Sequence, residues 1–267
     1  MAISGATRLL FVIGDPIAHA SAPGLINSKL DSAGIDAVMV PLHVPASGLS
    51  AAIAALRRIQ NCAGAIITMP HKIRVIEHLD SLTDAAGQVG AVNVVRREPD
   101  GRLVGTMLDG EGFVAGLERA GHRIAGTRVL LLGAGGAASA IAFAVARHGA
   151  IHLTIHNRTP TRATDLVARL RDAGERISAC AGAAVATNHD VVINATPLGM
   201  TADDAPPLDP KSLEPHMLAA EVITTPERTT FLAQAAQRGC TVHPGRPMLV
   251  AQLELMVEFM GVGIDGQ

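Results

Sequence analysis

Apolar runs rich in β-branched residues alternate with segments of helical spacing along the first quarter of the chain. The runs Leu9–Ile13, Ala37–Val44 and Gly64–Thr68 predict strands. The segments Gly24–Ala33 and Gly48–Gln60 between them predict helices. Because such alternation is typical of parallel strands joined by crossover helices, the pattern predicts an α/β domain with a mainly parallel sheet.

The pattern changes after this series. The apolar runs Ala91–Arg97 and Leu103–Met107 flank the turn-forming residues Glu98–Gly101, which predicts a β-hairpin. A helical segment follows over Asp109–Ala120. We expect the domain boundary within the helix and loop Asp109–Gly126.

A second α/β series begins near Arg128, and a final helix closes the chain. The predicted elements are the strands Val129–Gly133, His152–Asn157, Val191–Ala195 and Glu221–Ile223, the helices Gly136–His148, Thr161–Ala173 and Arg228–Arg238, and the last helix Pro247–Met260. We assign residues 1–112 to the first domain and residues 113–245 to the second. A C-terminal helix of about residues 246–267 is expected to pack back on the first domain.

The segment that joins the first strand and helix of the second series consists of small residues. These residues are Gly133, Ala134, Gly135, Gly136 and Ala137. Glycines let backbone N–H groups approach a pyrophosphate, and the helix N-terminus favours its negative charge. Ala138 stands where the usual pattern has its last glycine. The segment therefore predicts a Rossmann-type dinucleotide-binding domain.

The residues after the second strand of this domain indicate which nicotinamide cofactor it binds. An NAD site usually has an acidic residue about twenty positions beyond the glycine turn, whereas an NADP site has an arginine there. Here the chain has Asn157, Arg158, Thr159 and Arg162, and the next acidic residue is Asp165. Since the guanidinium group suits a 2′-phosphate, the sequence predicts NADP, with NAD as the alternative. The competing interpretation is a solvated, basic helix start.

Composition and charge narrow the choice of partners. The chain has 267 residues, with 22 Lys and Arg against 24 Asp and Glu, and it contains no Trp and no Tyr. Without a basic stripe or aromatic stacking groups, nucleic acid is excluded as a predicted partner. The apolar stretch Val129–Ala146 contains the glycine turn, so it predicts a strand and a buried helix, and we expect no membrane span. The N-terminal residues predict a first strand and not a signal peptide, which indicates a cytoplasmic protein.

The cysteines and histidines predict no further chemistry. Cys62, Cys180 and Cys240 are far apart in the chain, and we expect them to be small buried hydrophobes in a reduced compartment. His152 and His156 would lie about 13 Å apart on a strand, too far to share a metal ion. We therefore expect no metal site.

The N-terminal half contains a lysine at a position suited to chemistry. Lys72 lies just past the predicted strand Gly64–Thr68, at the edge of an open α/β sheet where ligands bind. A lysine with a carboxylate partner such as Asp109 can exchange a proton with a hydroxyl or carbonyl group. The competing interpretation is an ordinary surface lysine and a helix-capping aspartate.

The order and spacing of the motifs resemble the shikimate dehydrogenase family over nearly the whole chain. The motifs that carry the resemblance are Gly14–His19, Thr68–Lys72, Gly90–Asn93, Gly133–Ala137, Asn157–Thr159, Asn194–Met200 and Met248–Gln252. The resemblance implies an α/β fold with an N-terminal substrate-binding domain and a Rossmann-type dinucleotide-binding domain. It also implies a place in aromatic amino acid biosynthesis through the shikimate pathway.

The resemblance implies roles for individual residues. Lys72 and Asp109 would be the catalytic pair for reversible hydride transfer between NADPH and the ring carbonyl of 3-dehydroshikimate or a related cyclic hydroxy acid. The implied substrate contacts are Thr68, Asn93 and Gln252, with Ser21 as a further candidate. Thr196 and Met248 are implied beside the cofactor, together with the glycine turn and Asn157–Arg162. A monomer or homodimer is expected, with a crevice that closes over both ligands.

The chain departs from the family pattern around the substrate. The family's opening loop has two serines that bind the substrate carboxylate, and here these positions are Ala20 and Ala22. Ser21 lies between them, and Arg246 is a candidate substitute. Each lost hydrogen bond to a charged carboxylate costs about 1.5–3 kcal/mol. The substrate therefore stays open between shikimate, quinate and an amino or deoxy analogue, and a weakly active NADP- and metabolite-binding protein is the other alternative.

Overall fold

The computed structural model describes residues 3–18, 20–201 and 203–263. The chain divides into two compact units, one of Met1–Leu108 with Leu253–Gln267 and the other of Asp109–Gln252. The units thus divide after residue 108, whereas the sequence predicts a boundary after residue 112. Residues 246–252 of the predicted C-terminal helix belong to the second unit, and residues 264–267 lie outside the described residues. His19 of the opening motif also lies outside them.

The first unit is built on a six-stranded mixed sheet. Its strands are β1 (Arg8–Gly14), β2 (Ala37–His43), β3 (Cys62–Ile67), β4 (Ser81–Leu82), β5 (Val94–Arg97) and β6 (Leu103–Thr106), in the order β2-β1-β3-β5-β6-β4. Its helices are α1 (Ala22–Ser32), α2 (Leu49–Arg58) and α3 (Asp84–Val89). β1, β2 and β3 are parallel, and β5 and β6 form the predicted antiparallel hairpin.

Apolar spacing explains why these segments fold as they do. All six residues of β3 are buried, as expected for an interior strand covered on both faces. In α2, Leu49, Ile53 and Leu56 are buried, and their spacing of four and three residues makes one apolar stripe. Burial of each such side chain contributes about 1.5–3 kcal/mol.

The second unit has a six-stranded, wholly parallel sheet. Its strands are β7 (Arg128–Leu132), β8 (His152–His156), β9 (Ser178–Ala181), β10 (Val191–Asn194), β11 (Leu218–Glu221) and β12 (Thr241–His243), in the order β12-β11-β10-β7-β8-β9. Its helices are α4 (Asp109–Arg119), α5 (Gly136–Arg147), α6 (Pro160–Asp172) and α7 (Thr230–Gln237). The strand order reverses at β7, and the crevice at the carboxyl ends of β7 and β10 is where such sheets bind ligands. The predicted α/β fold class is confirmed.

Helix α8 (Arg246–Phe259) begins in the second unit and ends in the first. In the second unit, a methyl group at Gly112 of α4 would overlap the Gln252 side chain, and one at Gly116 would lie 2.9 Å from the Met248 nitrogen. The glycines of α4 therefore let the first half of α8 approach closely. In the first unit, the Arg96 guanidinium lies 4.8 Å from the centre of the Phe259 ring.

Several short elements differ from the prediction. The sequence analysis missed β4, α3, β9 and β12, and it predicted Glu221–Ile223 where β11 is Leu218–Glu221. Most of the missed strands are sheet edges or only two residues long, so they carry little apolar signal of their own. Cys180 is exposed on the edge strand β9, contrary to the expectation that all three cysteines are buried.

The described residues also bear on the expectations about membranes and metals. No helix in that part of the chain is long and apolar enough to cross a membrane. The same residues bring together no group of three or more potential metal ligands, and His152 and His156 occupy opposite ends of β8.

Candidate active site

The turn after β3 is fixed against the carboxyl ends of β1 and β2. The Thr68 N–H donates a hydrogen bond to the Ile13 carbonyl at 2.9 Å, and the His71 N–H donates to the Thr68 carbonyl at 2.9 Å. The His71 ring is fully buried, and its Nε2 atom lies 2.7 Å from the Val44 carbonyl oxygen, which accepts the hydrogen bond. These contacts hold Lys72 at the carboxyl edge of the sheet.

Three of the predicted site residues come together at this edge. The half-buried Lys72 accepts the Val92 N–H at its carbonyl oxygen at 2.8 Å. Asn93, which follows Val92 in the chain, accepts the Ile67 N–H at its carbonyl oxygen at 2.8 Å, and Ile67 directly precedes Thr68. Asn93 is buried, and its Oδ1 atom accepts the Leu108 N–H at 2.9 Å. Thr68, Lys72 and Asn93 are therefore backbone neighbours around the end of β3.

In the part of the loop after β1 that the structure describes, the polar side chains are those of Asp15 and Ser21. Asp15 is held by its N–H to the Met69 carbonyl at 3.0 Å and by its carboxylate to His43 Nε2 at 2.6 Å. Ser21 is the exposed N-cap of α1, and its hydroxyl makes no capping hydrogen bond. Ala20 is half-buried and Ala22 is buried, so both flanking side chains are methyl groups.

The second unit carries two further predicted site residues. Asp109 is the first residue of α4 and is 2% exposed. Gln252 on α8 is buried, and its Oε1 atom has no hydrogen-bond partner among the described residues. A buried acceptor of this kind is expected to find a partner, which a ligand hydroxyl group can supply.

The glycine turn has the geometry that a dinucleotide needs. Gly133 has a φ of +116°, and its N–H donates to the His156 carbonyl at 2.7 Å. A Cβ at Gly133 would lie 2.9 Å from the Ala195 carbonyl oxygen, so the turn packs tightly on the loop after β10. Gly135 caps α5, and a Cβ there would meet no atom within 4 Å. The space beside Gly135 is open, and it adjoins the helix N-terminus that favours a phosphate.

The loop after β10 is held by the fully buried Asn194. The Asn194 Oδ1 atom accepts the Thr196 N–H at 3.1 Å and the Thr196 hydroxyl at 2.6 Å. The Asn194 Nδ2 group donates to the Leu198 carbonyl at 3.0 Å. Thr196 is therefore fixed next to the glycine turn.

The end of β8 presents two exposed arginines. Thr159 is the N-cap of α6, and its carbonyl accepts the Arg162 N–H at 3.1 Å and the Asn157 side-chain amide at 2.9 Å. Arg158 and Arg162 are exposed, and among the residues that the structure describes no ion pair involves either guanidinium. Together with the open turn, these groups fit the phosphates of NADP.

A buried glutamate is the functional candidate that the sequence analysis missed. Glu221 ends β11 without any exposed surface, and burial raises its pKa to about 7. Its Oε2 atom accepts the Thr229 hydroxyl at 2.8 Å. The available signal was a single acidic residue at the end of the apolar run Leu218–Ala220.

An open glycine turn before a helix at the switch point of a parallel sheet, with two exposed arginines after the next strand, is typical of one class of protein. The class is that of the nicotinamide-dependent oxidoreductases, in which lysine and aspartate side chains are suited to moving the proton that accompanies hydride transfer.

Comparisons with known proteins identify the family. Residues 12–95 match the family model of the shikimate dehydrogenase substrate binding domain, and residues 117–200 match that of shikimate / quinate 5-dehydrogenase. A shikimate dehydrogenase (NADP(+)) of Rubrobacter xylanophilus is 40% identical over 98% of this chain and 94% of its own length. The chain belongs to the shikimate dehydrogenase family, and it is an NADP-dependent oxidoreductase that acts on a CH–OH group. The prediction of NADP is confirmed.

Solved structures resemble the chain over nearly its full length. The 5-ketofructose reductase of Gluconobacter sp. strain CHM43 is 36% identical, with a TM-score of 0.86 over 97% of this chain and 95% of that one. Shikimate 5-dehydrogenase from Thermus thermophilus, solved with NADP(H) and shikimate, is 30% identical, with a TM-score of 0.87 over 95% of this chain and 93% of that one.

Proposed function

We propose that this enzyme reversibly reduces the ring carbonyl of 3-dehydroshikimate or a related cyclic hydroxy acid, with Lys72 and Asp109 as its catalytic pair. The observation that carries the proposal is the fixed position of Lys72 beside Thr68 and Asn93 at the carboxyl edge of the first sheet. NADPH supplies the hydride when it is bound. We propose a cytoplasmic monomer or homodimer. We also propose that it has no nucleic-acid partner, because its positive and negative charges nearly balance.

Lys72 is the proton donor of the proposed reaction. In reduction its ammonium group gives a proton to the oxygen that becomes the alcohol, and in oxidation its neutral amine removes that proton. The buried Asp109 orients the ammonium group and the reacting hydroxyl, since a carboxylate accepts hydrogen bonds from both.

Hydroxyl and amide groups orient the substrate. The Thr68 hydroxyl and the Asn93 amide lie on the same edge as Lys72, and the Gln252 Oε1 atom is a buried acceptor without a partner in the described chain. A ring hydroxyl of the substrate would satisfy that acceptor. Ser21 is the hydroxyl that the opening loop offers.

The geometry of the second unit supports the proposed cofactor contacts. The pyrophosphate lies against the small residues of the turn and the N-terminus of α5, and Arg158 and Arg162 bind the 2′-phosphate. The further contacts in the proposal are Gly133, Ala134, Gly135, Gly136, Ala137, Asn157, Thr159, Thr196 and Met248.

A second candidate substrate is an uncharged polyhydroxy ketone. Ala20 and Ala22 offer only methyl groups to a carboxylate. A 5-ketofructose reductase that is 36% identical to this chain motivates this candidate, beside a shikimate dehydrogenase (NADP(+)) that is 40% identical. A neutral ketone needs no charge-assisted hydrogen bonds, so it loses nothing at these positions.

A substrate panel tests both candidates. NADPH oxidation is followed with 3-dehydroshikimate and with 5-ketofructose, and NADP reduction is followed with shikimate and with quinate, each as kcat/KM. The highest value with 3-dehydroshikimate, shikimate or quinate supports the keto acid, and the highest value with 5-ketofructose supports the neutral ketone. Binding of NADPH without turnover of any of the four contradicts both candidates.

A further inference from the structure

The carboxyl group of Glu221 closes a loop of the second unit. Its Oε2 atom accepts the Thr229 hydroxyl at 2.8 Å, and its Oε1 atom is buried without a partner among the described residues. Thr229 is itself buried and caps α7 by accepting the Leu232 N–H at 3.3 Å. The hydrogen bond between the Glu221 and Thr229 side chains therefore joins the two ends of the loop 222–229.

This loop contacts two segments of the same unit. A Cβ at Gly199, whose φ is +112°, would lie 3.2 Å from the Thr229 side chain and 3.4 Å from that of Ile223. The Ile223 carbonyl accepts the Gly245 N–H at 3.2 Å, directly before α8 begins. The loop 222–229 is therefore packed against both the loop after β10 and the start of α8.

We infer that Glu221 is a positioning residue for NADP binding and that its protonated form holds the loop 222–229 in the binding arrangement. The inference rests on the proposed cofactor contacts of Thr196, in the loop after β10, and Met248, on α8. A neutral acid suits this fully buried position, because the loss of hydration on burial outweighs the hydrogen bonds that the Thr229 and Asn194 groups offer to an ionised carboxylate. Ionisation therefore favours arrangements in which the loop moves to admit water or other donors.

The groups that face the carboxyl are neutral. They are the Thr229 hydroxyl at the start of α7 and the Asn194 side chain at the end of β10. On the adjacent strand β12 the titratable group is His243, whose ring meets that of His122 at 5.7 Å and whose pKa burial lowers to about 4. Burial raises the pKa of Glu221 to about 7, and no charged side chain of the described residues contributes to the change.

The variant Glu221→Gln tests the inference, because it keeps an acceptor for Thr229 and is neutral at every pH. The dissociation constant for NADPH is measured by nicotinamide fluorescence for both proteins, one pH unit below and one above the pKa of Glu221. Titration of the 2′-phosphate affects both proteins equally. The ratio of their two dissociation constants therefore reports only the ionisation of Glu221. We expect equal affinities at the lower pH and binding by the variant that is tighter by about fivefold or more at the higher pH.

Two further variants complete the test. Glu227 is an exposed glutamate of the same loop. The variant Glu227→Gln is expected to bind NADPH with the same dissociation constant as the unmodified protein at both pH values. Thr229→Val removes one of the hydrogen bonds that lower the pKa of Glu221, so the pH at which affinity falls should move upward. This second shift is measurable even if Glu221→Gln does not fold.

The outcomes separate this inference from the proposed cofactor site. The role of Glu221 is overturned if the ratio of the dissociation constants of Glu221→Gln and the unmodified protein is the same at both pH values. It is also overturned if the pH at which NADPH affinity falls is the same in Thr229→Val as in the unmodified protein. If the unmodified protein did not bind NADPH at either pH value, the proposed cofactor contacts themselves would be wrong.

Discussion

The Asn93 Oδ1 atom accepts a hydrogen bond from the Leu108 N–H at 2.9 Å, although neither residue is close to the other in sequence. Asn93 is 1% exposed, so the fold and not the ligand orients this amide. A group that is oriented before binding loses little conformational freedom when the ligand arrives. The proposed site groups should therefore respond to substitution in binding or rate more than in stability.

Arg158 should discriminate between the two nicotinamide cofactors. Arg158→Ala is expected to weaken NADPH binding at least about tenfold, because a charge-assisted contact contributes about 1.5–3 kcal/mol. NADH binding should be nearly unchanged, since NADH has no 2′-phosphate. Both are measured by calorimetry or nicotinamide fluorescence, because the chain has no Trp.

Arg171 provides the matched control for this prediction. It is an exposed arginine at the other end of α6, and Arg171→Ala should leave both affinities unchanged. Tighter binding of NADH than of NADPH by the unmodified protein would contradict the proposed role of Arg158.

Lys72 should act on the chemical step. Lys72→Ala is expected to lower kcat by about 10²–10⁴, as for the loss of a general acid, with little change in NADPH affinity. Lys211 is an exposed lysine of the second unit, and Lys211→Ala should retain full activity. If Lys72→Ala kept most of its kcat on the best substrate, the proposed role of Lys72 would be wrong.

Asp109 should act together with Lys72. Asp109→Asn is expected to lower kcat, because the neutral amide no longer stabilises the ammonium group. The double variant should lose less than the product of the two single losses, since residues that act as a unit are not additive. Independent effects that multiply in full would show that the two residues do not form a pair.

The two glycines of the turn should respond in different ways to alanine. Gly133 has a φ of +116° and lies tightly against Ala195, so Gly133→Ala should destabilise the protein by about 1–3 kcal/mol. Gly135 has a φ of −85° and open space around it, so Gly135→Ala should keep the melting temperature. It should nevertheless weaken NADPH binding, because the methyl group occupies the phosphate space. Unchanged NADPH affinity of Gly135→Ala would argue against a pyrophosphate at this turn.

The opening loop should determine whether a carboxylate is recognised. Ala20→Ser and Ala22→Ser together are expected to lower KM for shikimate about tenfold or more, which corresponds to about 1.4 kcal/mol. The same change should have little effect on KM for 5-ketofructose, which has no carboxylate. If KM for shikimate is already micromolar and the serines do not improve it, other groups hold the carboxylate, and Arg246 is the first to test.

Some features of the site could be predicted because their signal is local. Four apolar residues before a run of small residues predict β7, the turn and α5, and the bounds differ from the prediction by at most one residue. The sequence predicts Lys72 at a sheet edge because Lys72 lies in the turn that follows the buried strand β3. A strand, its turn and the next helix depend mainly on neighbouring residues, so a short stretch of sequence is sufficient.

Only the tertiary structure decided the features that depend on distant residues. The strands β9 and β12 form because an existing strand offers its edge: β9 has no β-branched or aromatic residue, and β12 has only 3 residues. The glycines of α4 are needed because Gln252 and Met248, more than 100 positions away in the chain, pack directly against them. The sequence alone determined the family and the cofactor, and it predicted Lys72 at a sheet edge, because local motifs carry these features. The burial of Glu221 and the fixed amide of Asn93 required the folded chain, because burial and hydrogen-bond partners are set by residues that only folding brings together.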